Sequence, residues 1–189
     1  MKEVTIFILC GTKNTRLCCE KGLVLFQGKP FIERIIDIVL PISSNIILVT
    51  NDTEYDYLKY KKIIDPEKEK GTLGSIFTAL QYSNTKYNLI LSLDIPLIST
   101  ELLMELIDKH DEAAEITILS SKSRMLPLIG IYSKKIAPLL QQAIAKNELK
   151  LKNFITTVPH QIITFDESTE NQGINVISVD ELDQLPNRM

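Results

Sequence analysis

The sequence predicts an α/β fold in which a mostly parallel central sheet is covered by helices on both faces. Short apolar runs, typical of buried strands, occur at residues 4–9, 45–49 and 88–93. Segments with helical spacing of apolar residues follow, for example at 31–40 and 100–110. Strands that alternate with helices in this way are joined by right-handed crossovers, which predicts a three-layer arrangement.

Length and composition indicate a single soluble domain over residues 1–189. Apolar residues make up 44% and charged residues 24% of the chain, and the net charge is −3. These values argue against a strongly cationic nucleic-acid surface. The chain has neither an 18-residue apolar run nor a signal-peptide pattern, so we expect a cytoplasmic protein without a membrane partner. Cys10, Cys18 and Cys19 cluster near one loop and make neither a disulfide framework nor a zinc site.

Further elements are predicted along the chain from periodicity and from Gly and Pro positions. Pro30 and Pro41 bound the first helix. The other predictions are a short helix at 53–62, an edge strand at 61–65, helices at 75–83, 134–145 and 149–154, strands at 116–119 and 161–165, an apolar segment at 125–132 interrupted by Pro127, and a last strand and helix at 174–179 and 180–185.

The loop that follows the first predicted strand carries several cations. Gly11 ends the apolar run, and Lys13, Arg16 and Lys21 follow. Cations at a strand end can neutralise a triphosphate and the charge that develops on leaving pyrophosphate. A solvated loop with ordinary surface cations is the alternative. The loop is neither a Walker loop nor a Gly-x-Gly-x-x-Gly fingerprint.

Two further strand ends carry polar residues, Asn51 and Asp94. The carboxyl ends of parallel strands share one edge of a sheet, where α/β proteins bind ligands. A carboxylate there suits Mg²⁺, although Asp94 could equally cap a turn. Gly71 and Gly74 open a helix, either to approach a ligand or to serve the turn.

Other chemistry is not supported by the sequence. His110 and His160 lie far apart among polar residues and are predicted to be surface histidines. The sequence contains no Cys–His or Ser–His arrangement that would indicate nucleophilic catalysis.

Ordered motifs along nearly the whole chain resemble those of the molybdenum cofactor guanylyltransferases, the MobA-like NTP transferases. Residues 9–22 resemble the family's Leu-x-Gly-Gly-x-Ser-x-Arg-Met-Gly-x-Asp-Lys, and Gly-Lys-Pro follows at 28–30. Residues 70–76 resemble its Gly-Pro-Leu-Ala-Gly-Ile, and 93–99 its Cys-Asp-x-Pro-Phe-Leu. The similarity continues through 127–132 and the helix after it, 151–154 and the closing segment 175–182.

The resemblance implies a Rossmann-like nucleotidyltransferase fold and an enzyme that needs Mg²⁺. The enzyme would transfer GMP from GTP to the terminal phosphate of molybdenum-molybdopterin and release pyrophosphate, so that GTP and a molybdopterin-type cofactor are its partners. By match, Lys21, Arg16 and Asp94 would be catalytic, and Asp94 would hold the metal. The nucleotide-binding residues implied by the match are Leu9, Cys10, Gly11, Lys21, Asn51, Asp65 and Asp94.

Three departures from the family pattern keep other functions open. Thr12 and Cys18 stand where the family has glycine, and Ile177 replaces an Asn of the closing motif. Thr is β-branched and disfavours positive φ beside a phosphate. One alternative is a related transferase that uses CTP or a sugar phosphate. Another is a non-catalytic nucleotide-binding protein. The oligomeric state, a homo-oligomer included, also stays open.

Overall fold

A computed structural model of the protein describes residues 3–11, 21–93, 95, 97–121 and 124–165. The strands are β1 (Val4–Leu9), β2 (Leu25–Phe26), β3 (Lys29–Pro30), β4 (Ile46–Val49), β5 (Lys61–Ile63), β6 (Tyr87–Ser92), β7 (Ile116–Ser121), β8 (Arg124–Ser133) and β9 (His160–Thr164). The α-helices are α1 (Phe31–Val39), α2 (Gly71–Tyr82), α3 (Thr100–Asp108), α4 (Ala137–Ala145) and α5 (Leu151–Ile155).

Seven strands form the central sheet in the order β5-β4-β1-β6-β8-β7-β9. The pairs β5–β4, β4–β1, β1–β6 and β7–β9 are parallel, whereas β8 is antiparallel to both of its neighbours. Within the described residues, β8 is therefore the one reversed strand of this sheet. The prediction of a mostly parallel sheet is confirmed. Strands β2 and β3 form a separate antiparallel hairpin.

Each face of the sheet is covered by its own helices. Ile6 and Ile8 of β1 belong to the core cluster that contains the buried faces of α1 and α3. The alternate residues Phe7 and Leu9 belong to a second cluster, with α2, α4 and α5. Alternation along a strand sends neighbouring side chains to opposite faces. Both faces are apolar, which explains why β1 is hydrophobic at every position except Thr5 and confirms the three layers.

Local sequence accounts for where several helices begin. Pro30 directly precedes the first residue of α1, a position where its fixed φ suits the helical entry. The Ser99 hydroxyl accepts a hydrogen bond from the Leu102 N–H at 3.3 Å and caps α3. The α1 helix ends at Val39, two residues before Pro41.

Several element predictions were wrong in detail. The α2 helix begins at Gly71 rather than at residue 75, and the predicted helix at 53–62 is reduced to one 3₁₀ turn, Thr53–Tyr55. Strand β8 runs from Arg124 to Ser133, but its pairing with β7 is interrupted at Pro127, as predicted: Ile118 pairs with Gly130 and the next residue, Leu119, pairs with Leu126. The predicted elements at 174–179 and 180–185 lie outside the described residues.

His110 is buried, so its prediction as a surface residue was wrong. The imidazole Nδ1 lies 2.7 Å from Thr117 Oγ1, and its ring meets the Tyr87 ring edge-on at 4.6 Å between centroids. The prediction rested on the polar neighbours of His110 in the sequence. Lys109 and Asp111 are indeed exposed, but the His110 side chain between them is buried just after the end of α3. His160 is exposed, as predicted.

None of the helices in the described ranges is both long enough and apolar enough to cross a membrane.

Candidate nucleotide-binding site

The carboxyl ends of four neighbouring strands form one continuous edge. Leu9 of β1 is in register with Val49 of β4 and with Ser92 of β6, and Val49 is in register with Ile63 of β5. At a spacing of about 4.8 Å between strands, this row spans about 15 Å from β5 to β6. The loops after these four strands therefore open onto a common crevice, the place where open α/β sheets bind ligands.

The end of β1 delivers main-chain groups to this crevice. Leu9 and Cys10 are buried, and the Cys10 N–H donates to the Val49 carbonyl at 3.1 Å. Gly11 is exposed and has φ +64°. A glycine adopts this conformation at low cost, which lets the chain leave the sheet sharply at this point.

Behind the crevice, the 3₁₀ turn Lys21–Leu23 is packed tightly at Gly22. A Cβ atom placed on Gly22 would lie 2.6 Å from the Tyr55 hydroxyl oxygen and 2.8 Å from Leu93 Cδ1. Tyr55 is fully buried in the turn after β4, and Leu93 directly follows β6. The backbone beside Lys21 is thus fixed against two of the four strand ends.

Asn51 and Asp65 join the ends of β4 and β5 through a reciprocal pair of hydrogen bonds. The Asp65 N–H donates to Asn51 Oδ1 at 2.6 Å, and Asn51 Nδ2 donates to the Asp65 carbonyl at 2.9 Å. This pairing fixes which amide atom faces which backbone group. Because Asn51 is exposed, one N–H and one lone pair of its amide can still reach a ligand.

The Asp65 side chain turns inward and is 6% exposed. Its Oδ1 accepts from the Glu67 N–H at 3.0 Å and from Thr78 Oγ1 at 2.9 Å, and its Oδ2 accepts from Ser75 Oγ at 2.6 Å. A buried carboxylate is stable only when donors of this kind replace water. The donors come from α2 and from the loop before it.

Gly71 and Gly74 serve this arrangement for two different reasons. Gly71 has φ +62° and ψ −151°, a region open essentially to glycine alone. Gly74 has an ordinary backbone, but a Cβ there would overlap the Glu67 carbonyl oxygen. Among the described contacts, both glycines therefore serve the turn that leads into α2.

The prediction that Asp94 holds a metal falls on a residue outside the described ranges, and so does the prediction for Arg16. The residues on either side of Asp94, Leu93 and Ile95, are both buried, just beyond the end of β6. The described residues contain no cluster of three or more His, Cys, Asp or Glu side chains suited to a metal. A lone carboxylate still suits Mg²⁺, which takes one or two carboxylates and completes its shell with phosphates and water.

A cavity of about 460 Å³ lies next to the end of β6. Its size is in the range of small-molecule sites. Apolar side chains of β8, with Leu151 of α5, form much of its lining, and Ser92 and Thr72 reach it from β6 and α2. The three exposed cations Arg124, Lys150 and Lys152 also line it, and none of its described lining residues is acidic. The cavity is suited to an anionic ligand with an apolar body.

The structure brings together five of the predicted site residues: Leu9, Cys10, Gly11, Asn51 and Asp65. The backbone of Lys21 lies behind the same crevice. Sequence reasoning missed Ser75 and Thr78, whose spacing of three residues on α2 placed both hydroxyls on one helix face.

Four consecutive strand ends with polar loops define an α/β protein of the nucleotide-binding class. A family model of MobA-like NTP transferase domains matches residues 6–162. The chain belongs to this family, as its sequence motifs predicted.

Individual relatives agree with the family assignment. A protein of Flavobacterium johnsoniae named "Probable molybdenum cofactor guanylyltransferase" is 56% identical over 185 residues, which are 98% of this chain and 97% of that protein. A protein of the same name from Carboxydothermus hydrogenoformans is 31% identical, over 90% of this chain and 86% of its own. The fold is shared with molybdopterin-guanine dinucleotide biosynthesis protein A of Archaeoglobus fulgidus, with a TM-score of 0.81, 20% identity and 96% coverage of each chain.

Proposed function

We propose that the protein transfers GMP from GTP to the terminal phosphate of molybdenum-molybdopterin and releases pyrophosphate. The observation that carries the proposal is the pairing of two features along one sheet edge. Asn51 and Asp65 offer fixed polar groups at the β4 and β5 ends, and a cavity with a cationic lining lies beside β6. The name of the relative that is 56% identical over 98% of this chain supports the choice of GTP and of the acceptor.

The nucleotide is proposed to lie along the β5-β4-β1 part of the edge. Asn51 and Asp65 would lie near the base and sugar, with the exposed Asn51 amide in contact and the buried Asp65 behind it. The backbone of Leu9, Cys10 and Gly11 would approach the phosphates. Lys21 and Arg16 would balance the charge of the triphosphate. This assignment is supported by the register of the strand ends, which places the β4 and β5 loops beside the end of β1.

The acceptor is proposed to occupy the 460 Å³ cavity. Molybdopterin combines a flat ring system with a phosphate, which suits apolar walls and the cations Arg124, Lys150 and Lys152. The cavity contains Ser92, the residue in register with Leu9, so an acceptor there would lie next to the phosphates of the nucleotide.

In the proposed reaction, an oxygen of the acceptor phosphate attacks the α-phosphorus of GTP. The new oxygen–phosphorus bond forms a phosphoanhydride, and the bond between the α-phosphorus and its bridging oxygen to the β-phosphate breaks and releases pyrophosphate. The attacking phosphate is already ionised at neutral pH, so no general base is needed. Lys21 and Arg16 would position the reactants and neutralise the charge on the leaving pyrophosphate.

We propose Mg²⁺ as the cofactor. Asp94 would hold it, between buried Leu93 and Ile95, and nucleotide phosphates and water would complete its shell. When bound, the ion would supply further neutralisation of phosphate charge.

The test is pyrophosphate release, measured with each of the four nucleoside triphosphates, Mg²⁺ and molybdopterin loaded with molybdenum. We expect release with GTP that depends on both the acceptor and the metal. Release with CTP, or with a sugar phosphate as acceptor, would assign the protein to a related transferase. Tight nucleotide binding without any release would identify a non-catalytic nucleotide-binding protein.

A further inference from the structure

Two hydroxyl groups lie on one face of α2. Ser75 and Thr78 are three residues apart, and both donate to the buried carboxylate of Asp65. The Ser75 hydroxyl has a second acceptor, the Gly71 carbonyl, at 3.4 Å, but the contact with Asp65 Oδ2 at 2.6 Å is much shorter. The single proton of this hydroxyl therefore goes to the carboxylate.

Asp65 is therefore hydrogen-bonded on two sides, by the α2 hydroxyls at its carboxylate and by Asn51 at its backbone. The Asn51 amide bonds to the backbone N–H and carbonyl of Asp65. The Asp65 side chain bonds to the two hydroxyls of α2. Asp65 thus transmits the position of a rigid helix to the exposed Asn51 amide. A side chain held by such outer partners keeps one orientation, which preorganises it for a ligand.

The carboxylate has few other donors. Oδ1 has Thr78 and the Glu67 N–H, whereas Ser75 is the one donor to Oδ2 among the described residues. Among the described ion pairs, none involves Asp65. Loss of either hydroxyl therefore leaves the buried Asp65 carboxylate with one hydrogen bond fewer and allows its side chain to rotate.

We propose that Ser75 and Thr78 are positioning residues for the nucleoside, acting through Asp65 and Asn51. The inference rests on the proposed function, which places the base and sugar at these two residues. The hydroxyls set the fit of the nucleoside, and the phosphates are bound elsewhere, by the β1 loop. Ser75 occupies a position where the family segment given above has glycine, a residue that lacks a hydroxyl.

The experiment compares binding of GTP and of pyrophosphate, each with Mg²⁺, by calorimetry. For Ser75→Ala and for Thr78→Val, we expect the Kd of GTP to rise about tenfold, since each variant removes a hydrogen bond to a charged group. The Kd of pyrophosphate, which lacks a nucleoside, stays unchanged. Ser75→Thr and Thr78→Ser, which keep the hydroxyl, restore the affinity for GTP.

Thr100→Val is the matched control. Thr100 also donates a hydroxyl hydrogen bond, at 2.7 Å to the Ile38 carbonyl, but it joins α3 to α1 on the other face of the sheet. We expect this variant to lower the melting temperature and to leave both Kd values unchanged.

Two outcomes overturn the inference alone. One is normal GTP binding by the wild type with no change in Ser75→Ala or Thr78→Val. The other is an equal loss of GTP and pyrophosphate affinity, which would indicate a purely structural role. If the wild type does not bind GTP at all, the proposed function fails and the inference fails with it.

Discussion

Gly74 of α2 packs directly against the backbone carbonyl of Glu67, so closely that no Cβ atom fits between them. Glu67 belongs to the loop that follows Asp65, and its N–H donates to Asp65 Oδ1 at 3.0 Å. The contact therefore sets the distance between α2 and the loop that carries Asp65, the partner of Asn51.

Replacing Gly74 by Ala should push this loop away from α2. We expect a loss of about 1–3 kcal/mol in the free energy of unfolding, the usual cost of overpacking, and a weaker affinity for GTP. Chemical denaturation and calorimetric titration measure the two effects.

Gly28→Ala is the control for Gly74→Ala. Gly28 has φ +77° in the β2–β3 turn, and a Cβ there meets nothing within 4 Å. Its substitution should cost about 1 kcal/mol of stability through backbone strain and leave GTP binding intact. Unchanged GTP affinity in Gly74→Ala would show that the loop does not need this close contact.

Gly22→Ala should act on turnover through the neighbouring Lys21. The added methyl would collide with the Tyr55 hydroxyl and with Leu93, at 2.6 and 2.8 Å, so the turn Lys21–Leu23 must shift. A displacement of about 1 Å near the reacting groups can cost about 100-fold in rate. The measurement is kcat/KM for pyrophosphate release.

A glycine of β8, away from the Lys21 turn, separates this effect from a general loss of stability. A Cβ on Gly130 would lie 2.8 Å from Ile118 Cγ2 and 2.9 Å from the Thr117 carbonyl, inside the sheet. Gly130→Ala should therefore destabilise the fold and preserve kcat/KM for GTP, measured at saturating acceptor and at temperatures where the variant is folded. Equal kcat/KM losses in the two variants would contradict a specific role for the Lys21 turn.

Sequence patterns predicted the layers and most elements, because strands buried on both faces have nearly continuous apolar runs, such as Ile6 to Leu9 of β1. They also placed Asn51 after a strand, which the fold confirms. Its hydrogen bonds with Asp65 could not be predicted, because they join residues 14 apart through side-chain geometry. The burial of His110 could not be predicted either, because the predicted periodic segment extends to residue 110, whereas α3 ends at Asp108 and His110 lies in the turn that follows.

The pH dependence of Tyr57 gives a prediction outside the site. Partial burial of the phenol, its hydrogen bond to Glu33 Oε1 at 3.1 Å and the negative charge of Glu33 raise the pKa of Tyr57 from 10.0 to about 12. The unfolded chain loses this proton first, so the contribution to stability is complete below pH 10 and is lost as pH rises toward about 12.

The change in stability should be small, because Tyr57 is 53% exposed and solvent screens its interactions. Ultraviolet titration of the wild type against Tyr57→Phe isolates this ionisation. In Glu33→Gln the pKa of Tyr57 should fall, since a neutral amide removes the repulsive charge. An unchanged titration in Glu33→Gln would rule out the charge of Glu33 as a cause.

Asp94→Asn tests the proposed metal site. The amide keeps the size of the side chain but removes the negative charge that a hard cation requires. We expect Mg²⁺-dependent pyrophosphate release to be abolished while the melting temperature without ligand stays within a few degrees of the wild type. Asp108→Asn, at the far end of α3, is the charge-matched control and should keep full activity. Normal turnover in Asp94→Asn would exclude the metal role.

Lys150 and Lys152 test the proposed acceptor cavity. Both are exposed cations that line it, on either side of Leu151 at the start of α5. Neutralising them with Lys150→Gln and Lys152→Gln should raise KM for the molybdopterin acceptor about tenfold in the double variant and leave KM for GTP unchanged, because charge-assisted bonds to the acceptor phosphate are lost. Lys146→Gln, at the end of α4, keeps both constants, since Lys146 does not line the cavity. A rise in KM for GTP instead would place the nucleotide phosphates, rather than the acceptor, beside these two lysines.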